Sequence, residues 1–109
     1  MENNLTNLML EGEGLKLEYK RAVPHPSRLA SLIASFANTE GGKIIIGVND
    51  DGTIIGLPEN ASVLENLQEA FELLRPHPLI NYYFEHMNGK RVFVIEIQKY
   101  PLPVTTQVS

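Results

Sequence analysis

The chain contains no cysteine and no tryptophan. Without thiols it forms neither disulfides nor thiolate zinc sites, and that lack favours a cytoplasmic setting. It also lacks any apolar run near the roughly 20 residues that a membrane-spanning helix needs. Met1-Glu2-Asn3-Asn4 carries no basic start of a secretory signal, so no membrane partner is expected. Cations are the scarcer charge, 9 Lys+Arg against 13 Asp+Glu, for a formal net charge of −4. That balance argues against a protein that coats nucleic acid by bulk electrostatics, but it leaves room for a local basic patch.

What is present suffices for one folded domain: 109 residues, 43% of them hydrophobic. We expect a single domain over residues 1–109, with a core at 8–100 and a tail at 101–109 that begins a further strand or edge, as in a chain cut from a longer protein. Leu5, Leu8 and Met9 have the spacing of a helical turn lying over the core. Leu15 to Lys20 alternates apolar and charged residues and predicts a half-buried strand with Lys16, Glu18 and Lys20 on one face. From Ser27 to Asn38 the apolar residues Leu29, Leu32, Ile33, Phe36 and Ala37 follow the period of a core-facing helix. Gly41-Gly42 supplies the conformational freedom that closes such a helix.

Lys43 to Val48 predicts a strand buried on both faces, since Ile44, Ile45, Ile46 and Val48 do not alternate with polar residues. Gly47 ends it. Asn49-Asp50-Asp51-Gly52 is a turn by composition, leading to a short partner strand at Thr53-Ile54-Ile55-Gly56. Ser62-Val63-Leu64-Glu65 fits a capping box, opening a helix that Arg75-Pro76-His77-Pro78 stops. Asn88-Gly89 then joins two apolar-rich strands as a hairpin. The expected class is α+β, a mixed sheet of five to six strands with two main helices packed on it.

Several residues have the types that chemistry requires. Glu13, Glu18, Asp50 and Asp51 would gather near one end of the sheet if the first and second strands are neighbours. Such oxygen ligands suit Mg²⁺ or Mn²⁺, which assist phosphodiester hydrolysis. The cations Lys20, Arg21 and Arg28 flank the first strand–helix connection, Lys43 opens the second strand, and Lys90-Arg91 sits at the hairpin; these are the candidates for phosphate contacts. Asn38, Gly41, Gly42, Gly47 and Gly52 read as structural turn residues. His25, His77 and His86 show no paired metal spacing. Gly41-Gly42-Lys43 precedes a strand instead of a helix and lacks the upstream glycine of an ATP-binding loop.

Glu13-Gly14-Leu15-Lys16-Leu17-Glu18-Tyr19-Lys20, Phe36-Ala37-Asn38-Thr39-Glu40-Gly41-Gly42, and Ile46-Gly47-Val48-Asn49-Asp50-Asp51-Gly52 followed by Ile55-Gly56 together resemble the Schlafen-type AlbA domain, over residues 8 to 100. The resemblance implies a domain that binds DNA or RNA, often at the start of transcriptional-regulator-type proteins. It also implies an alternative, a divalent-metal-dependent RNase of Schlafen type. Carried over by motif position, its carboxylates would be Glu13, Glu18 and Asp50. Two such lobes form a clamp in the vertebrate relatives, so a comparable surface here requires a homodimer. A dimerisation or protein-interaction module, consistent with the net charge of −4, is the third reading.

Overall fold

β1 (Leu17–Lys20) and β2 (Gly42–Ile46) pair in parallel, which obliges the chain to cross back between them. Helix α1 (Pro26–Ala37) makes that crossing. The structure, a computed structural model, describes residues 16–107; Leu5, Leu8, Met9 and Glu13 lie outside the described residues. Pro26 sits in the first turn of α1, where its missing N–H is no loss, and the His25 imidazole accepts from the Ser27 N–H at 3.2 Å. Leu29, Ile33, Phe36 and Ala37 are buried along one stripe of the helix, as their spacing predicts.

After β2 come α2 (Val63–Glu72), β3 (Leu74–Arg75), β4 (Ile80–Met87), β5 (Lys90–Ile97) and β6 (Thr105–Thr106). Four strands form one mixed sheet in the order β1-β2-β5-β4, and β3 pairs with β6 in a second, two-stranded sheet. The β4–β5 hairpin turns at Asn88 and Gly89, both with positive φ (54° and 74°), the combination that matches the twist of the flanking strands. Among the described residues no helix is long and apolar enough to cross a membrane.

The main sheet is apolar on both faces. Ile44, Ile46, Phe93, Ile95 and Ile97 meet α1 and α2 in the larger cluster, while Leu17, Tyr19, Ile45, Val48, Val92 and Val94 form a second cluster on the opposite face. This accounts for the unbroken apolar run of β2, whose successive residues serve different cores.

Two local expectations need correction. Thr53–Gly56 forms no strand; Val48 and Ile54 make one isolated bridge, because the Asn49–Gly52 turn leaves too few aligned residues for a ladder. Ser62 is the N-cap of α2, but its side chain makes no capping hydrogen bond; its carbonyl instead accepts from Asn66 N–H, and Glu65 in the first turn faces the helix dipole.

Candidate functional site

Strand direction sorts the candidate residues. β1 and β2 run the same way and β5 runs opposite, so the last residue of β1, the end of β2 and the start of β5 share one end of the sheet. The link from Lys20 into α1 is short, so the first turn of α1 lies at that end too. Lys20, Arg21, Arg28, Lys90 and Arg91 therefore gather there from three elements and a connection. Asp50, Asp51 and Glu59 border the same end, which makes the surface mixed in charge.

The cations there differ in how firmly they are held. Arg21 and Arg28 are exposed. Lys20 pairs with Glu18 at 3.1 Å. Lys90 donates to the Ile54 carbonyl at 3.4 Å. Arg91 is the most fixed: its guanidinium donates to the Pro58 carbonyl at 3.0 Å and lies 4.5 Å from the centre of the Phe84 ring. Between the hairpin and the 55–59 segment runs an open cleft of about 530 Å³ lined by His86, Lys90, Arg91 and Glu59. His86, whose sequence spacing points to no metal, stands directly across the ladder from Arg91.

Lys43 does not join this group. It is the second residue of β2, at the opposite end, and pairs with Glu96 at 3.3 Å across the ladder. Glu96 also accepts from Asn81 at 3.2 Å and from the Tyr83 hydroxyl at 2.9 Å. Partial burial works to raise the Glu96 pKa, but the hydrogen bonds from Asn81, Tyr83 and Lys43, with the Lys43 charge, outweigh it and hold the carboxyl below its usual range. Burial, the Glu96 hydrogen bond and the charges of Glu96 and Glu85 push the Tyr83 hydroxyl up to about 12.

Of the three carboxylates considered for a metal, Glu13 lies outside the described residues. Glu18 is halfway along β1 and engaged with Lys20; Asp50 is exposed in the turn after β2. Among the described residues no three carboxylates or imidazoles stand close enough together to hold a metal ion. Asp51 is a turn former: its carboxylate accepts from Thr53 N–H at 2.9 Å, which lowers its pKa.

The turn residues serve the fold. Gly41 N–H donates to the Phe36 carbonyl at 2.8 Å to close α1. Gly47 joins the end of β1 to the next loop: its N–H donates to Lys20 O at 2.6 Å and its carbonyl accepts from Ile55 and Gly56, both at 2.9 Å. Gly52 N–H donates to Asn49 O at 2.9 Å within the acidic turn. The Asn38 side chain reaches forward to Val104.

The architecture is shared with solved structures. The solution structure of the N-terminal domain of a Nitrosomonas europaea protein, described as ATP-dependent DNA helicase RecG-related, superposes with a TM-score of 0.70 at 24% identity, covering 99% of this chain and 83% of that one. The crystal structure of the DIP2311 protein from Corynebacterium diphtheriae gives 0.67 at 21% identity, covering 94% of this chain. The match spans 23% of the diphtheria protein, so this chain corresponds to one part of that longer molecule. Its sequence matches the family described as Schlafen, AlbA_2 over residues 13–109. With motif, fold and family match in agreement over nearly the whole length, the chain belongs to the Schlafen, AlbA_2 family.

Proposed function

We propose that this domain binds nucleic acid through the basic end of its main sheet, as one module of a transcriptional-regulator-type protein. The observation that carries the reading is the convergence of Lys20, Arg21, Arg28, Lys90 and Arg91 at one sheet end in a chain whose net charge is −4. Five of nine cations at one end act as a local electrostatic footprint despite the acidic total. Arg21 and Arg28, exposed, supply mobile phosphate contacts; Arg91, fixed by Pro58 and Phe84, supplies a preset one. The helicase-related name of the Nitrosomonas protein and the family itself support nucleic acid as the ligand class.

The test is binding to labelled single- and double-stranded DNA and to transfer RNA, at low and moderate salt, with and without Mn²⁺. Binding that weakens steeply with salt and leaves the strands intact is expected. Absence of binding at low salt overturns the reading in favour of a protein-interaction module. Metal-dependent RNA fragments overturn it in favour of an RNase.

A further inference from the structure

The two edges of the main sheet are unlike. β1 is four residues long and carries Glu18 and Lys20, the short, charged form in which natural edges resist pairing. β4 is eight residues long, Ile80 to Met87, and keeps register with β5 without a bulge along its whole length. It contains no lysine and no proline. Among the described residues no strand pairs with its outer side.

The register fixes which backbone groups face outward. Gln98 N–H donates to the Leu79 carbonyl, and partners alternate from there between hydrogen-bonded and non-bonded pairs. Asn81, Tyr83, Glu85 and Met87 thus turn their N–H and C=O groups to β5. Ile80, Tyr82, Phe84 and His86 turn theirs outward. On the helix side Ile80 and Tyr82 border an apolar groove of about 630 Å³ between α2 and the start of β4. Its surroundings are unusually exposed for large apolar side chains: Leu79 is 61% exposed, Tyr82 51% and Leu64 49%.

We propose that two copies of this domain join through β4, antiparallel about a two-fold axis at Tyr83, to make one continuous sheet of eight strands, four from each copy. The outward-facing set is centred on Tyr83, so in this register every member meets a member of the same set: Ile80 faces the other copy's His86, and Tyr82 faces its Phe84. Glu85 is the strand's one carboxylate, and the register keeps it away from its counterpart in the other copy. Glu85 meets the other copy's Asn81, a hydrogen-bonding amide, and no carboxylate meets a carboxylate. Both α2 helices then lie on one side of the joined sheet, and the Tyr82 that borders each apolar groove lies across from the other copy's Phe84. The proposal does not depend on nucleic-acid binding, and its failure leaves that reading intact.

Sedimentation equilibrium of the full chain tests it, with twice the chain mass expected. Tyr82→Lys places a charge on the pairing edge without touching the ladder to β5, and is expected to sediment as a monomer with an unchanged circular-dichroism spectrum. Because the chain has no cysteine, Tyr83→Cys introduces a single thiol. On the axis, in a non-bonded antiparallel pair, the two thiols would have Cα atoms about 4.5 Å apart and cross-link under mild oxidation. Glu85→Cys would set them about 14 Å apart along the strands and stay unlinked. Should Tyr82→Lys fail to fold, the two cysteine variants decide. A monomeric wild type, a dimer that survives Tyr82→Lys, or equal cross-linking by both cysteine variants overturns the proposal.

Discussion

The side-chain amide of Asn38 holds the backbone of Val104 from both sides, its Nδ2 donating to the Val104 carbonyl at 2.9 Å and its Oδ1 accepting the Val104 N–H at 2.8 Å. Asn38 is the C-cap of α1, and Val104, 3% exposed, is the residue that leads into β6. One residue thus closes a helix with its backbone N–H and, with its side chain, fastens to that helix a segment 66 residues later. Tyr100 N–H, donating to Ala37 O at 2.8 Å, adds a second fastening to the same helix end.

Asn38→Ala is therefore expected to destabilise the domain by about 2 kcal/mol, roughly 1 for each hydrogen bond lost. Asn38→Asp keeps the acceptor and loses the donor, and should fall between. Hydrogen exchange would show the loss first at Thr105 and Thr106 and only weakly in β5. Equal loss of protection across the main sheet would contradict the local role assigned here.

The paired glycines are expected to be irreplaceable for packing reasons. Gly41 has φ +78°, and a Cβ there would lie 2.6 Å from the Ile97 carbonyl oxygen; at Gly42 it would lie 2.6 Å from the Phe36 ring and 2.9 Å from the Lys16 carbonyl. Backbone cannot step aside as a side chain can. Gly41→Ala should cost on the order of 3 kcal/mol, strain and overpacking together. Gly89 also has positive φ, +74°, but a Cβ there meets nothing within 4 Å, so Gly89→Ala should cost about 1 kcal/mol. Thermal melts of the two variants compare them directly.

The polar ladder on the far sheet face predicts a stability that falls at both pH extremes. Tyr83 binds its proton more tightly folded than unfolded, near 12 against 10.0. Its contribution is thus complete below pH 10 and drains away as pH rises toward 12. Glu96 is shifted the other way, below 4.5, so its contribution is complete above that value and is lost as pH falls through its folded pKa. Ultraviolet titration should show a tyrosine ionising near pH 12, a step that Tyr83→Phe removes. Denaturant melts of Tyr83→Phe should show no extra loss between pH 10 and 12.

Much of this fold is legible in the residue order. The period of Leu29, Ile33, Phe36 and Ala37 gives α1, the apolar run at Ile44–Ile46 gives a central strand, and Asn88-Gly89 gives the hairpin. The β3–β6 sheet is not legible, because two-residue strands have no periodicity and this pair depends on the remote grip of Asn38 on Val104. The candidate site was legible only in part. Residue type makes Lys43 a phosphate candidate along with Lys20 and Arg21, but which end of a sheet a residue occupies depends on strand direction. Only with β2 set parallel to β1 and antiparallel to β5 does Lys43 fall opposite Glu96. The same pairing brings Lys90 and Arg91, seventy residues after Lys20 and Arg21, to their end of the sheet.

That division of cations yields the last prediction. If phosphates bind at the end shared by Lys20, Arg21, Arg28, Lys90 and Arg91, charge removal should matter by location and not by count. Arg21→Ala and Arg28→Ala alter exposed side chains, so each should leave the melting temperature unchanged. Each should weaken binding and reduce the slope of log affinity against log salt by about 1 for duplex DNA. Lys43→Ala removes the partner of Glu96 and should lower stability modestly while leaving that slope unchanged. Lys99→Ala, exposed beyond β5 at the far end, should change neither. Fluorescence anisotropy over a salt series on the four variants separates these outcomes. Equal effects from Lys99 and Arg28 would mean that nucleic acid responds to the overall charge of the chain and not to the basic end of its sheet.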